Sequence, residues 1–243
     1  MKRSLFTKIL DFVFPSKCAL CGEVSGTSDA LCKECLEKYA FERKKKCPVC
    51  GKTAPTCTCD MPSGVNTLIC STFYTHYLQN SGRATEKMIF ALKRRKRSRL
   101  AEFFGREAAA GVMRYIKANG ISAEECVITY PPRSEKNMAD YGFDHAELVA
   151  EHISRYTGIP LVRVLERVGG SEQKTLDASD RLANARASLK LSESVEIFEK
   201  NVFLFDDVMT TGATIVTSTE LLKSAGAGKV ITVTVAKTEP KKR

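Results

Sequence analysis

Residues 202–214 read VFLFDDVMTTGAT, and this stretch gives the clearest indication of the architecture. Its four leading apolar residues predict a buried strand, and a helical pattern follows at 213–224. Two carboxylates, Asp206 and Asp207, stand between them, followed by a loop rich in threonine. Backbone N–H groups at a helix start bind phosphate, and carboxylates at a strand end accept hydrogen bonds from sugar hydroxyls or lie near magnesium. The stretch therefore predicts a site for a phosphorylated sugar.

Strand-like and helix-like segments alternate through the chain from about residue 65. Strands are predicted at 67–74, 126–130, 161–165, 202–205 and 230–235, and helices at 83–97, 99–119, 144–156 and 213–224. Such alternation predicts an α/β fold, with a parallel sheet flanked by helices. In such folds the chemistry lies at the carboxyl ends of the strands, where the two carboxylates stand.

The same thirteen residues resemble the phosphoribosyl-pyrophosphate signature of type I phosphoribosyltransferases. The resemblance implies that Asp206 and Asp207 form the catalytic pair on the ribose hydroxyls and that phosphoribosyl pyrophosphate binds with Mg²⁺. It also implies that the 5-phosphate lies on Met209, Thr210, Thr211, Gly212, Ala213 and Thr214. A second loop is expected to hold pyrophosphate through Arg133, although a rigid turn with a solvated arginine is the alternative. Residues 134–143 are expected to form a mobile loop that closes over the substrate.

Eight of the ten cysteines lie between residues 18 and 59, in three C-x2-C pairs and one C-x-C pair. The first residues show no signal-peptide pattern, so structural zinc is favoured over disulfides. One or two zinc ions are expected, because the C-x-C pair makes a cramped knuckle. The simplest pairing is sequential, and an interleaved pairing stays open. The sequential sites would be Cys18, Cys21, Cys32 and Cys35, then Cys47, Cys50, Cys57 and Cys59.

These patterns divide the chain into two parts. Residues 1–62 are expected to hold an amphipathic helix at 5–14 and a double zinc ribbon, and residues 63–243 the phosphoribosyltransferase-like body. The helix would pack on the body or dock a partner. No apolar run approaches the roughly 18 residues that a membrane span needs. We therefore expect no membrane span and a cytoplasmic protein.

A double zinc ribbon joined to a phosphoribosyltransferase domain resembles the ComF family, the competence-associated proteins of bacterial DNA uptake. The resemblance extends to Lys93 after IFALK, to residues 141–150 (YGFDHAELVA), and to Gln173, Arg181 and Asn184. It implies a role in the uptake of transforming DNA. The implied partners are phosphoribosyl pyrophosphate, a DNA-uptake helicase and a recombination mediator.

Two positions depart from the family pattern. Tyr141 stands where relatives carry arginine, which puts a phosphate contact there in doubt. Asp144 and His145 replace asparagine and glutamine. We expect Asp144 to cap the helix that follows and His145 to lie on the surface at its start, with ligand contact as the alternative.

The net charge of +10 is concentrated in residues 83–99, which hold eight basic residues and one acidic residue. Candidate contacts for nucleic-acid phosphates, including single-stranded DNA, are Lys93, Arg94, Arg95, Lys96 and Arg97. A solvated helix end with cations near its C-terminus is the alternative. A basic tail, formed by Lys237, Lys241, Lys242 and Arg243, adds to the positive charge.

Three functions fit these observations. The protein is a phosphoribosyltransferase with an undetermined acceptor, a nucleic-acid-binding adaptor of DNA uptake, or a regulator that uses the pocket as a ligand switch. We predict a ComF-like protein that assists uptake of transforming DNA and has a competent ribosyl-phosphate pocket. A phosphoribosyltransferase of nucleotide metabolism or salvage, with no DNA role, is the alternative.

Overall fold

A computed structural model describes residues 17–25, 29–74, 83–96, 98–168, 178–193 and 196–241. The predicted helix at 5–14, Arg97, Gln173, Lys242 and Arg243 lie outside the described residues. The helices are α1 (Lys33–Arg43), α2 (Ala84–Arg94), α3 (Ser98–Asn119), α4 (Glu135–Tyr141), α5 (His145–Thr157), α6 (Ala178–Ser188) and α7 (Ala213–Ser224). The strands are β1 (Leu68–Tyr74), β2 (Cys126–Thr129), β3 (Leu165–Arg167), β4 (Leu189–Leu191), β5 (Asn201–Met209) and β6 (Lys229–Thr238).

The central sheet has four parallel strands in the order β1-β6-β5-β2. The predicted strand at 161–165 is only partly correct. Leu161 forms a single parallel bridge to Ile128 in β2. The chain then leaves the main sheet, and β3 pairs antiparallel with β4 in a separate two-stranded sheet. The short β4 carries no strong strand pattern of its own, so the sequence did not reveal this pairing.

Helices cover both faces of the central sheet, as the alternating pattern predicts. Phe203 and Phe205 of β5 point into a core shared with α3 and α5. The alternate residues Val202 and Leu204 point into a second core shared with α7. Successive strand residues face opposite sides of a sheet, so a fully apolar strand is buried on both. The predicted α/β class is confirmed.

Residues 134–143, which the sequence predicts as a loop, are largely helical. They contain α4, whose N-terminus is capped by Ser134, where Oγ accepts from the N–H of Asn137 at 3.3 Å. Gly142, with φ 71°, ends the helix in the left-handed conformation. Serine at an N-cap and glycine after the last turn are strong helix boundaries. They explain why this polar stretch forms a helix.

The cysteine-rich module consists of α1 and two small knuckles. Lys17 bridges Val24 in the first knuckle, and Lys46 bridges Thr53 in the second. Glycine follows the second cysteine of the C-x2-C turn in each knuckle, and both Gly22 and Gly51 have positive φ. In the part of the chain that the structure describes, no helix is long and apolar enough to cross a lipid bilayer.

Candidate functional site

The two carboxylates lie inside β5 rather than beyond its end. The strand pairs with β6 as far as Met209, whereas β2 pairs with it only as far as Leu204. Because β2 ends early, the edge of β5 at Asp206 and Asp207 faces a cavity. The predicted strand end at residue 205 is therefore too early. The short neighbouring strand, and not the end of β5, makes the carboxylates accessible.

The loop between β5 and α7 has the form of an anion cradle. Gly212 is the residue before the helix and has φ 78°, a conformation that favours glycine. The first N–H groups of a helix have no acceptor within the helix, so they can bind a phosphate. Thr210 and Thr214 line the cavity, and Met209 packs into the core. Thr211 is exposed, and Ala213 opens α7.

The two carboxylates differ in environment and in charge. Asp207 is 4% exposed, and its Oδ2 lies 2.7 Å from Nζ of Lys93 and 3.6 Å from Nε2 of His145. Burial and the charge of Asp207 raise the pKa of Asp206 to about 7. Burial also acts to raise the pKa of Asp207, but Lys93 and His145 outweigh it and hold that pKa well below its usual range. At neutral pH one carboxylate is charged and the other can hold a proton.

Lys93 belongs to the acidic pair. It lies in the last turn of α2, and its ammonium group forms an ion pair with Asp207. Burial acts to lower the pKa of Lys93, but the charges of Asp207 and Asp206 outweigh it and raise the pKa. The sequence pattern grouped Lys93 with the nucleic-acid candidates because cations follow it directly. In the structure Lys93 reaches a buried carboxylate, a contact that the pattern of cations did not suggest.

Arg133 lines the cavity and is held by its neighbours. Its Nε donates to Nδ1 of His145 at 2.8 Å. Its two terminal nitrogens donate to the carbonyl oxygens of Phe143 (3.2 Å) and Lys93 (2.7 Å). Its backbone N–H donates to Oδ2 of Asp144 at 2.7 Å. The alternative interpretation, a solvated arginine on a surface turn, is therefore wrong. Arg133 joins the end of α2 to the start of α5.

Both departures from the ComF pattern contact Arg133. The Tyr141 ring centroid lies 5.0 Å from the guanidinium carbon of Arg133. His145 is 8% exposed, so the expectation of a surface histidine is wrong. The Nε of arginine can only donate, so Nδ1 of His145 accepts and its proton sits on Nε2, which faces Asp207. Asp144 caps α5 as predicted, accepting from the N–H of Ala146 at 2.8 Å.

The cavity has a volume of about 540 Å³, which is within the range of small-molecule sites. Sequence reasoning missed three of its lining residues, Tyr74, Phe90 and Arg167, whereas Asn137 belongs to the stretch that was expected to close over the substrate. Arg167 ends β3, and its Nε donates to the carbonyl oxygen of Pro132 at 2.9 Å. Tyr74 ends β1 at the edge that carries the carboxylates. The available signal for Tyr74 and Arg167 was their position at the carboxyl end of a strand.

The described part of the remaining basic run begins at the wall of the cavity. Arg94, Arg95 and Lys96 are exposed where α2 ends. Phe90 is 57% exposed, and the guanidinium carbon of Arg94 lies 4.2 Å from its ring centroid. Phe90 and Arg94 both line the cavity. A cationic surface with an exposed aromatic ring is therefore continuous with the site.

The cysteines form two tetrads with sequential pairing. The first tetrad is Cys18, Cys21, Cys32 and Cys35, and the second tetrad is Cys47, Cys50, Cys57 and Cys59; in each, the Sγ atoms lie within 4.8 Å of one another. Zinc with four thiolates at about 2.3 Å requires Sγ–Sγ distances of about 3.8 Å. The Cys21–Cys32 and Cys50–Cys57 distances are 3.8 and 3.6 Å. Both tetrads fit structural zinc, including the one with the irregular C-x-C pair.

Backbone N–H groups in each tetrad favour the thiolate form that binds metal. Sγ of Cys18 accepts from the N–H of Leu20, and Sγ of Cys47 accepts from the N–H of Val49, each at 3.4 Å. Burial acts to raise the pKa of Cys18, but hydrogen bonds from the backbone outweigh it and lower the pKa to about 6. A backbone hydrogen bond from Lys52 lowers the pKa of Cys50 to about 7.

Comparison with known families identifies both parts of the chain. Residues 9–72 match the double zinc ribbon domain, and residues 144–243 match the phosphoribosyl transferase domain. Competence protein F of Haemophilus influenzae is 34% identical over 92 residues, which cover 37% of this chain and 40% of that protein. The matched part therefore spans less than half of that relative.

Two further relatives match along most of their length. Competence protein ComFC of Streptococcus pneumoniae is 26% identical over 91% of this chain and 100% of its own. DNA utilization protein YhgH of Salmonella typhimurium is 24% identical over 89% and 94%. Among solved structures, a hypoxanthine phosphoribosyltransferase from Staphylococcus aureus aligns with 59% of this chain and 68% of its own, at 13% identity and a TM-score of 0.34. At that score the fold assignment rests on the sheet itself.

Proposed function

Because the chain belongs to the ComF family, we propose that its cavity binds phosphoribosyl pyrophosphate and that the protein assists the uptake of transforming DNA. One observation carries the ligand assignment. The open carboxylate edge of β5 and the N-terminus of α7 face the same cavity. The hydroxyl groups of a sugar phosphate can donate to the carboxylates, and its phosphate can accept from the N–H groups that begin α7.

The ligand would lie with its 5-phosphate on residues 210–214 and its ribose hydroxyls on Asp206. Its pyrophosphate would face the cationic wall that Lys93, Arg133 and Arg167 provide. Guanidinium groups suit this purpose because their donors match phosphate oxygens in pairs. The cavity thus offers each part of phosphoribosyl pyrophosphate a group of matching chemistry.

Magnesium fits this site only together with the ligand. Asp207 is already paired with Lys93, which leaves Asp206 as the carboxylate available to a metal ion. Mg²⁺ is commonly held by one or two carboxylates and by substrate phosphates. We therefore propose that Mg²⁺ enters with the pyrophosphate, where it supplies charge neutralisation.

If the protein transfers the ribosyl group, the site would act by positioning and by electrostatics. A nucleophile forms a bond to the ribosyl carbon, the bond from that carbon to the pyrophosphate oxygen breaks, and pyrophosphate leaves with the electron pair. Positive charge develops on the ribosyl carbon. The Asp207 carboxylate is nearby and fixed by Lys93, so it can stabilise that charge without reorganisation.

Calorimetric titration tests the ligand assignment. Zinc-loaded wild type should bind phosphoribosyl pyrophosphate with Mg²⁺ at one site per chain. Asp206→Asn should weaken binding by about tenfold or more, because an oxygen that can accept from the ribose hydroxyls is replaced by an amide NH₂ group that cannot. Asp140→Asn is the matched control, since Asp140 is exposed at the end of α4, and its affinity should equal that of wild type. No binding by the wild type would refute the assignment.

A nucleic-acid role is favoured by the exposed surface at the cavity mouth. Arg94 lies over the exposed Phe90 ring, beside Arg95 and Lys96. Cations that follow a phosphate backbone, with an aromatic ring for base stacking, are typical of single-strand binding surfaces. The names of two relatives concern competence and a third concerns DNA utilization. We propose single-stranded DNA as the partner of this surface.

Salt-dependent binding tests this role. Replacing Arg94, Arg95 and Lys96 by alanine should lower the slope of log affinity against log salt by about 0.7 for each lost contact. The control removes the same charge from the zinc module, at Lys44, Lys45 and Lys46, and should keep the slope. An unchanged slope in the first variant would show that these residues do not contact phosphates.

The remaining assignments follow from the family. We propose that residues 1–62 form the zinc module and residues 63–243 the body. We also propose that the protein acts in the cytoplasm, with a DNA-uptake helicase and a recombination mediator as partners. Co-purification would test the partner assignment by comparing wild type with the variant in which the exposed basic surface is replaced. Equal recovery of the helicase and the mediator with both proteins would show that these partners bind independently of the DNA-binding surface.

A further inference from the structure

Lys237 is a buried lysine beside the second tetrad. It is 1% exposed, although its place near the end of the chain suggests a basic tail. Its Nζ donates to the carbonyl oxygens of Cys57 at 2.8 Å and Cys59 at 3.1 Å. Among the described residues, no carboxylate lies within ion-pair distance of it. A lysine is rarely buried unless its charge is balanced.

A filled second tetrad would supply the balancing charge. Four thiolates around one doubly positive zinc ion leave an excess of negative charge. Lys237 contacts the backbone of two of these four cysteines. Because opposite charges stabilise one another where water is excluded, the buried ammonium group and the filled tetrad should stabilise each other. Lys237 is thus an outer contact of the metal centre, contributed by the body.

Lys237 also borders the loop that receives the phosphate. In the sheet, Lys237 of β6 is the register partner of Met209, the last residue of β5. The next residue, Thr238, donates from Oγ1 to the carbonyl oxygen of Met209 at 3.4 Å. The chain turns into the anion cradle directly after Met209. The contact between tetrad and sheet is therefore adjacent to the start of the cradle.

Pro62 reaches the same loop from its other end. It follows Cys59 closely in sequence and packs against Gly212, the residue before α7. A Cβ placed on Gly212 would lie 2.2 Å from Cγ of Pro62, so the ring leaves room only for glycine. The chain that leaves the second tetrad therefore forms a wall of the cradle.

We infer that Lys237 and Pro62 are positioning residues, through which the metal in the second tetrad holds the phosphate-binding loop in place. The inference rests on the proposed function for the identity of the ligand and on the contacts for the coupling. Loss of this metal would release the carbonyl oxygens of Cys57 and Cys59 from Lys237. It would also release the Pro62 ring from Gly212. The first tetrad lacks both contacts among the described residues.

The first test measures the metal and the loop without any ligand. In the zinc-loaded full chain, Lys237→Met should lower the zinc affinity of one site by about 10- to 100-fold, as expected for an outer-shell partner. Competition with a chromogenic chelator measures this affinity. Amide exchange in a peptide covering residues 209–215 should become faster in the same variant. Lys229→Met, on the exposed start of β6, is the control and should change neither.

A second variant covers the case in which Lys237→Met fails to fold. Pro62→Ala removes the wall but leaves every cysteine and Lys237 in place. It should speed exchange in residues 209–215 while the zinc content stays at that of the wild type. Pro55→Ala is the matched control, because Pro55 is exposed on the same module. Unchanged exchange in both Lys237→Met and Pro62→Ala would overturn the inference.

Titration with phosphoribosyl pyrophosphate and Mg²⁺ separates this inference from the proposed function. If wild type binds and the two variants bind several-fold more weakly, with faster loop exchange, the proposed function and the coupling both stand. If wild type does not bind but loop exchange still follows Lys237 and Pro62, the ligand assignment fails and the coupling stands. If wild type binds and both variants match it in affinity and exchange, the coupling fails and the proposed function stands.

Discussion

The two cysteine tetrads have similar sulfur geometry but contact different parts of the body. The first tetrad lies beside α1, and Cys18 and Cys35 share a core with the helices on one face of the sheet. The second packs against the end of β1, where Cys47 and Cys57 share a small cluster with Phe73. The first therefore contacts the helical layer, and the second contacts the edge of the sheet from which the loop before α7 emerges.

The first tetrad reaches the site only indirectly. Glu42 of α1 accepts hydrogen bonds from the N–H groups of Ala84 (2.6 Å) and Thr85 (3.0 Å), which begin α2. Lys93 at the other end of α2 pairs with Asp207. A whole helix thus separates the first tetrad from the carboxylates, whereas Pro62 connects the second directly to Gly212. The two tetrads should bind zinc in the same way, but losing zinc from the second should weaken ligand binding more than losing it from the first.

Replacing one cysteine in each tetrad should produce the largest difference. We expect Cys59→Ser and Cys21→Ser each to lose about one zinc per chain, because a tetrahedral site needs four ligands. Affinity for phosphoribosyl pyrophosphate should fall more than about tenfold in Cys59→Ser, as for loss of a supporting contact, and much less in Cys21→Ser. Elemental analysis and calorimetry measure the two effects. Equal losses of affinity would show that the tetrads act alike.

The carboxylate edge beside the second tetrad should respond to pH through Asp206. Its pKa is raised to about 7 in the folded protein, so the folded state binds this proton more tightly than the unfolded state. The contribution of this bound proton to folding stability is present at low pH and is lost as the pH rises toward and through 7. Between pH 5.5 and 8, the stability gained by Asp206→Asn should therefore grow, by on the order of 2 kcal/mol.

Urea midpoints across this pH range measure the effect, with Asp140→Asn as the flat control. The trend should be the same with Cys21→Ser in the background, because the first tetrad does not contact Asp206. A stability difference that shrinks as the pH rises would contradict the assignment of the proton to Asp206.

For the contact beside the first tetrad, we expect a substitution to lower the free energy of unfolding without a comparable loss of ligand affinity. Glu42→Ala removes the acceptor for two buried N–H groups and for Oγ1 of Thr85 at 2.7 Å. Loss of a helix cap costs about 1 to 2 kcal/mol. Glu37→Ala, on the exposed face of α1, is the control. Denaturant unfolding measures the cost, and a cost no greater than that of the control would show that Glu42 does not anchor the module.

The knuckle glycines should give the smallest and most equal effects. Gly22 and Gly51 have φ values of 80° and 70°, and no atom lies within 4 Å of a Cβ placed on either. Alanine at each position should therefore cost about 1 kcal/mol, from backbone conformation alone. Matching costs in thermal unfolding would confirm that the knuckles are equivalent. A clearly larger cost at Gly51 would place the difference between the tetrads in the knuckles themselves.

Local patterns were sufficient to predict much of this molecule. The stretch 202–214 combines a buried strand, two carboxylates and a helix start within thirteen residues, so its strand–loop–helix form follows from neighbouring residues. The C-x2-C turns likewise predict a tetrahedral site from short spacing. The sequential pairing is confirmed by the sulfur positions.

Contacts between distant residues could not be predicted in the same way. Lys93 and Lys237 both occur in basic surroundings, but one pairs with Asp207 and the other is buried against Cys57 and Cys59. His145 has the position of a surface residue at a helix start, yet α5 begins beneath the cavity. In each case the partner lies far along the chain, and only the sheet order brings the two together.

We propose that the loop before α7 receives the 5-phosphate of phosphoribosyl pyrophosphate. The most direct measurement is an experimental structure of the zinc-loaded protein with this ligand and Mg²⁺. We expect the 5-phosphate to lie on the backbone N–H groups of residues 210–214, with the ribose hydroxyls on the carboxylate edge of β5. A 5-phosphate bound elsewhere, or no ligand in the cavity at saturating concentration, would contradict the claim.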